Sequence, residues 1–296
     1  MKILITGGTG YLGSHLIREL LNLGYKVILL KRSFSNTFRI QDIFSELTVY
    51  DLDNTTIKEV FNQQPGISAV IHTATLYGRE SDLSTIRNII DSNITFPLTL
   101  LFESINNNCP LFINTDSFFS DASDNYNYLN HYSLSKLHFR QWLQSISRNI
   151  NTKIVNMKLF HLYGPNDNSD KFVTKILKEC RNNISEISLT SGTQKRDFIY
   201  ISDAIDAFLK ILENSSNLEK GYVNYDLGSG KLVSIKKLVK MIHHYSGSKS
   251  KLSFGAIAQR TGEFSDIRAN ISNLKKIGWK QEINLEDGIQ KLVENS

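Results

Sequence analysis

The sequence predicts an α/β protein: a doubly wound parallel sheet with a smaller C-terminal lobe. Three observations point there. Short β-branched apolar runs alternate with amphipathic helical stretches over the first 160 residues, a glycine-rich turn joins the first run to the first helix, and the alternation breaks down after Gly164-Pro165.

Residues 2–6 read as a short β-branched strand. Residues 11–23 follow as a helix, with Leu12, Leu16, Leu20 and Leu21 on one face. The next strand is 27–30, and further strands are expected at 48–50, 69–72, 111–114 and 153–159. Helices near 55–61, 83–104 and 131–148 separate them. The crossovers are long enough for right-handed connections between parallel neighbours. Beyond residue 165, strands at 187–190, 198–201, 223–227 and 251–254 mix with helices near 171–180, 203–212, 235–245 and 285–293. Some of these later strands can return to the main sheet.

A chain of 296 residues, at about 100–200 residues per domain, has room for one large α/β unit or two lobes. With 41% hydrophobic and 21% charged residues it has the composition of a globule that folds by burial. Cys109 and Cys180 form no CxxC and sit in no Cys/His cluster, so neither a disulfide framework nor a metal site is expected, and a reducing cytoplasm is. No apolar run approaches 18 residues, which argues against a membrane span. The net charge of +5 lies entirely beyond residue 214, where 13 Lys/Arg face 8 Asp/Glu. Those lysines are scattered without interleaved aromatics, the pattern of a solvated face and not of a nucleic-acid footprint.

The turn Thr6-Gly7-Gly8-Thr9-Gly10-Tyr11-Leu12-Gly13 places glycines at 7, 10 and 13 between strand and helix. Gly7 permits the tight turn, Gly10 lets backbone approach a pyrophosphate, and Gly13 lets the helix close on the strand. Thr9, Tyr11 and Leu12 then present backbone at the positive end of the helix. This context identifies a Rossmann-type dinucleotide fold over residues 1–165, with returning segments near 197–228, and a substrate lobe mainly in 166–296. The second strand ends in Lys31-Arg32, where an acid would favour NAD; two cations favour the 2′-phosphate of NADP(H). A surface-charge role for the pair is the alternative. Asp51 and Leu52, closing the third strand, are expected to flank the adenine.

Tyr132-Ser133-Leu134-Ser135-Lys136 opens a helix, and the four-residue spacing stacks Tyr132 and Lys136 on one face. A free phenol has a pKa of about 10; an adjacent ammonium is expected to lower it, about 4 kcal/mol being needed for about three units. The pattern also occurs at Tyr245 and Lys249, where Gly247 interrupts the helix. Position favours Tyr132, because the fifth strand ends in Asn114-Thr115-Asp116-Ser117 at the carboxyl edge, where open α/β sheets bind ligands.

These residues, with Asn93, Tyr163-Gly164-Pro165, Arg196-Asp197-Phe198, Asp203, Gly228-Ser229-Gly230 and Ile277-Gly278-Trp279, resemble the extended short-chain dehydrogenase/reductase superfamily acting on nucleotide sugars. The resemblance implies that Lys136 also holds the nicotinamide ribose and that Thr115, with Ser117 nearby, contacts the sugar. It implies too that Arg196 and Arg260 grip the nucleotide diphosphate. Residues 114–119, 190–198 and 254–260 narrow the match to the branch that reduces the C4 ketone of a CDP-4-keto-3,6-dideoxyhexose with NADPH, in O-antigen sugar synthesis. A 4,6-dehydratase of the superfamily needs a carboxylate pair after the threonine, Asp as acid and Glu as base; here Asp116 is followed by Ser117, so elimination lacks its base. A nucleotide-sugar 4-epimerase using the same residues, either C4 configuration of the product, and a non-catalytic NADPH sensor remain alternatives. The resemblance implies that the long helices 83–104 and 131–148 pair with a second subunit as in relatives, giving a homodimer, with burial within one chain as the alternative.

Overall fold

The computed structural model describes residues 1–78, 82–121, 130–259 and 266–295. The chain divides into two compact units, the first covering Met1–Asp121, Tyr128–Lys158 and Phe208–Tyr225, the second Ala122–Asn127, Leu159–Ala207 and Asp226–Ser296. Among the described residues no helix is long and apolar enough to cross a membrane.

The first unit carries β1 (Lys2–Thr6), α1 (Tyr11–Asn22), β2 (Lys26–Lys31), β3 (Thr48–Asp51), α2 (Ile57–Gln63), β4 (Ala69–His72), α3 (Leu83–Ile90), α4 (Phe96–Asn106), β5 (Leu111–Ser117) and α5 (Asn130–Ile146), followed by β6 (Lys153–Leu159). Then come β7 (His161–Tyr163), α6 (Phe172–Arg181), β8 (Glu186–Leu189), β9 (Lys195–Tyr200), α7 (Ile201–Glu213), β10 (Tyr222–Leu227), β11 (Leu232–Ser234), α8 (Ile235–Tyr245), β12 (Lys251–Phe254), β13 (Asp266–Ile267), α9 (Ser272–Lys276) and α10 (Leu285–Glu294).

The main sheet has seven strands in the order β10-β6-β5-β4-β1-β2-β3. β1 pairs in parallel with both β2 and β4, so strand order reverses there and opens a crevice at the carboxyl ends of β1 and β4. Leu4, Ile28, Val70, Phe112 and Ile154 alternate onto one sheet face, where Val60, Leu100, Leu101, Phe139 and Leu143 of α2, α4 and α5 cover them. In the second unit β9 is the centre of a small sheet, flanked by β11 and β13 and joined by β7, while β8 and β12 form a separate pair.

The structure departs from the sequence expectation in three places that bear on the site. β5 runs three residues past Asn114, because Thr115, Asp116 and Ser117 are buried and hydrogen-bonded although they look like a turn. The expected helix 83–104 is split by a π-helical turn at Asp91–Thr95. Pro97 has no N–H for the carbonyl of Asn93, so the ladder shifts to i→i−5 bonding and Phe96 N–H donates to the Asp91 carbonyl. Residues Phe38–Glu46 form a 3₁₀ segment that no apolar period announces.

Candidate active site

The glycine turn is packed as tightly as its sequence requires. Gly7 has φ +71°, and a Cβ on it would lie 2.5 Å from the Ala74 nitrogen; one on Gly13 would lie 2.3 Å from the Gly7 carbonyl oxygen. Gly10 donates to that carbonyl at 2.9 Å, and Ser14 N–H reaches back to Gly10. α1 has no side-chain cap. The N–H groups of Tyr11, Leu12 and Gly13 therefore have no carbonyl within the helix and suit an anion. Thr9 is partly buried beside them.

At the edge of β2 and β3 the two cations diverge. Lys31 Nζ donates to Asp51, the carboxylate that closes β3. Arg32 stays exposed with its guanidinium 4.6 Å from the centre of the Phe34 ring. Asp53, unremarked in the sequence reading, accepts the Ser33 N–H, and Ser33 holds its carboxyl below the usual range. Leu52 N–H caps Lys31 O at 2.8 Å.

The polar cluster at the carboxyl end of β5 is assembled by α5. Thr115 Oγ1 donates to the His72 carbonyl at 3.0 Å, and Lys136 Nζ donates to the Thr115 carbonyl at 2.9 Å. Lys136 Nζ lies 6.0 Å from the Tyr132 ring centre. Burial pushes Lys136 down to about 8, with Asp116 opposing. Tyr132, only 3% exposed, is hydrogen-bonded by the Ser117 hydroxyl and by Tyr77. The expected lowering of the phenol by Lys136 does not occur in this arrangement. Burial comes first and raises Tyr132 well above its ordinary value, Tyr77 and Asp116 add to the rise, and Ser117 opposes it. The hydroxyl is thus a held proton, the state a proton donor needs.

Beneath this cluster lies a polar network in the sheet. Asp116 accepts from Ser117 N–H, Asn156 Nδ2 and Ser120 Oγ, and faces Arg140 at 3.4 Å. Arg140 stands one turn beyond Lys136 and also pairs with Asp121 at 2.7 Å. Two further residues join this cluster: Asn93, which the sequence offers only through the family resemblance, and Tyr77, whose loop after the fourth strand is expected to face the substrate, with a sugar contact and no such contact equally open. Asn93 holds both backbone groups of Leu76, at 2.8 and 3.0 Å, and Ser135 Oγ at 3.0 Å. Tyr77 stacks on Tyr132.

The structure brings Thr115, Ser117, Tyr132 and Lys136 together; Arg196 belongs to the second unit and Arg260 lies outside the described residues. Arg196 is buried on β9 and donates to the Lys195 carbonyl. His161 packs 5.2 Å from Phe198, and burial, with Arg196, pushes it down to about 3, so it stays neutral. The second Tyr/Lys match falls apart: Tyr245 donates to Glu286, and Lys249 N–H bonds Asn183.

The family described as "NAD dependent epimerase/dehydratase family" matches residues 3–228. The CDP-abequose synthase of Salmonella muenchen is 33% identical over 293 residues, covering 99% of this chain and 97% of that protein. The dTDP-4-dehydro-6-deoxyglucose reductase of Escherichia coli is 26% identical, covering 99% and 96%. Among solved structures, the UDP-glucuronic acid 4-epimerase of Bacillus cereus, in complex with UDP-glucuronic acid and NAD, superposes with a TM-score of 0.85 at 25% identity, covering 100% of this chain and 98% of that one. The UDP-glucose 4-epimerase of Thermotoga maritima, with UDP-glucose, gives 0.86 at 20% identity, covering 100% and 98%, a likeness of fold.

Proposed function

The chain belongs to the NAD dependent epimerase/dehydratase family, the extended short-chain dehydrogenases/reductases, and on that footing we propose that it is an NADPH-dependent reductase of the C4 ketone of a CDP-4-keto-3,6-dideoxyhexose, giving CDP-abequose for O-antigen synthesis. The observation that carries the reaction type is the buried Tyr132, kept protonated next to Lys136, with Ser117 where elimination would need its carboxylate base. The substrate rests on the 33% identity to CDP-abequose synthase across nearly the whole of both chains.

The glycine turn fits the pyrophosphate of a dinucleotide: Gly7, Thr9, Gly10, Tyr11, Leu12 and Gly13 would hold it, Asp51 and Leu52 would flank the adenine, and Lys136 would take the nicotinamide ribose. When bound, NADPH supplies the hydride for the carbonyl carbon. Tyr132 gives its proton to the carbonyl oxygen. Lys136, anchored on the Thr115 carbonyl, places a positive charge beside the phenolate that results. Thr115 Oγ1 spends its proton on His72, so it offers lone pairs to a sugar hydroxyl, with Ser117 beside it. Arg196 and Arg260 are assigned to the diphosphate. Lys31 is committed to Asp51, so the contact with a 2′-phosphate falls to Arg32. Arg32→Ala should weaken NADPH about tenfold and NADH hardly at all, read by fluorescence titration.

A homodimer belongs to the same reading. Leu134 and Trp142 stand exposed on α5, and Leu83 and Phe102 on α3 and α4, an apolar set that a second copy would cover.

The decisive assay gives purified protein NADPH and a panel of CDP-, dTDP-, GDP- and UDP-4-ketosugars, with NMR of the product. NADPH consumption confined to the CDP sugar, with an axial C4 hydroxyl formed, is expected; an equatorial hydroxyl would assign the paratose product instead. Tyr132→Phe should cut turnover by about 10²–10⁴ and leave NADPH binding within about twofold. The solved 4-epimerase at 25% identity favours a second reading, and sugar turnover without net loss of NADPH would select it.

A further inference from the structure

Tyr77, in the loop after β4, lies over Tyr132 with ring centres 4.3 Å apart and planes 18° apart. The two phenols are hydrogen-bonded. Tyr132 is 3% exposed and Ser117, its other hydroxyl partner, 6%, whereas Tyr77 is 49% exposed. Ser117 and Lys136 are buried beside Tyr132, whereas Tyr77 reaches solvent.

The fold takes trouble to put it there. Asn93, turned inward by the π-helical turn that Pro97 forces, clamps Leu76 through both backbone groups and ties it to Ser135 on α5. Ser135 in turn donates to the Tyr132 carbonyl at 2.7 Å. On the other side of Tyr77, a Cβ on Gly78 would lie 2.7 Å from Thr85 Cγ2 and Ile89 Cδ1, so the loop is seated closely against side chains of α3. The loop is thus pinned on both sides of the exposed phenol.

We propose that Tyr77 is a positioning residue that supplies protons from solvent to Tyr132, an inference that rests on Tyr132 being the proton donor of the reduction. The protons balance. Tyr132 loses its O–H proton to the substrate oxygen and becomes a phenolate; Tyr77 passes its O–H proton to that phenolate; water returns one proton to Tyr77, and one solvent proton is consumed per ketone reduced. Burial makes Tyr132 the weaker acid, which favours return of the proton to its phenolate. Tyr77 on the loop after β4, and Ser117 and Asp116 on β5, act on the Tyr132 phenol, and the Lys136 ammonium on α5 lies 6.0 Å from its ring centre. Tyr77 and Asp116 both favour the protonated phenol, and Ser117 opposes them.

Tyr77→Phe keeps the ring and removes the hydroxyl. The first readout needs no turnover: tyrosine labelled with ¹³C at Cζ, the Tyr132 resonance assigned by its loss in Tyr132→Phe, and its titration followed by NMR. The variant should titrate lower than wild type by about one unit. The second uses NADPH and CDP-4-keto-3,6-dideoxyglucose. Here kcat should fall about tenfold with KM unchanged, the solvent deuterium isotope effect should rise, and imidazole buffer should restore part of the rate. An unmoved Tyr132 titration overturns the proposal, as does a loss confined to KM or one that imidazole and deuterated solvent leave untouched. If wild type reduces no ketosugar, the reductase reading falls, and the NMR titration still decides whether Tyr77 governs the Tyr132 proton.

Discussion

Two buried aspartates, one in each unit, invite comparison. Asp197, on β9, is met by Ser229 N–H and Oγ at 2.6 Å, Gly230 N–H at 2.8 Å and Ala269 N–H at 3.0 Å. A Cβ on Gly228 would stand 2.9 Å from its Oδ2, so the loop approaches as closely as backbone can. Asp116, at the end of β5, is met mostly by side chains, Asn156, Ser120 and Arg140, besides its neighbour's N–H. Burial raises both carboxyls. The same residue in the same kind of burial does different work: fixed backbone donors make Asp197 a clasp between loops, whereas mobile and charged partners leave Asp116 able to act on Lys136 and Tyr132.

The largest expected effect tests the clasp. Asp197→Asn is nearly isosteric, but its amide group must face N–H donors that cannot turn into acceptors. Orphaned buried donors cost about 1–3 kcal/mol each, so a loss of about 3–5 kcal/mol in urea unfolding is expected. A loss under about 1 kcal/mol would mean that the loops around Ser229 and Ala269 hold without it.

Next comes Asp116→Asn. Ser120 can turn its hydroxyl round, and Arg140 keeps Asp121, so about 1–2 kcal/mol of stability should go. The sharper consequence is electrostatic. Asp116 raises both Lys136 and Tyr132, so its neutralisation should carry the alkaline limb of the kcat profile about one unit toward lower pH. Asp197 belongs to the second unit, and among folded molecules its substitution is expected to leave that limb in place. A limb that moves equally in both variants would erase the distinction.

The comparison also marks what could be read from sequence. Spacing within one helix is local, so Tyr132 and Lys136 were legible, as was the glycine turn between β1 and α1. The parallel sheet followed from the βαβ alternation, whereas its strand order appears only in the assembled structure. The contacts that tune the site were not legible, because each joins residues far apart in sequence: Asn93 with Leu76 and Ser135, Tyr77 with Tyr132, Asp51 with Lys31. The π-helical turn is hidden for another reason. One extra residue in a helix barely disturbs an apolar period, and only Pro97 records it. Desolvation of Tyr132 was missed for the same cause as the contacts, since burial belongs to the assembled sheet; an adjacent lysine alone suggested a shift of the opposite sign.

The smallest effect tests Lys136 itself, whose ammonium is buried at a cost to stability. Its pKa in the folded chain is about 8, against about 10.4 for a free lysine. Between those values the unfolded chain binds the proton and the folded one does not, so this group's contribution to stability rises with pH across that window and is lost as pH falls through about 8. Lys136→Met removes the charge but also the donor to the Thr115 carbonyl, which offsets part of the gain. The variant should therefore be more stable than wild type at pH 7 by about 1 kcal/mol, seen as a higher Tm, with turnover gone. The gap should close, and then reverse, as pH is raised from 8 toward 10.4, because wild type recovers what it lost while the variant has nothing to titrate at this position. A gap independent of pH would show that Lys136 is solvated in the folded chain, and that Asp116 has no buried charge on which to act.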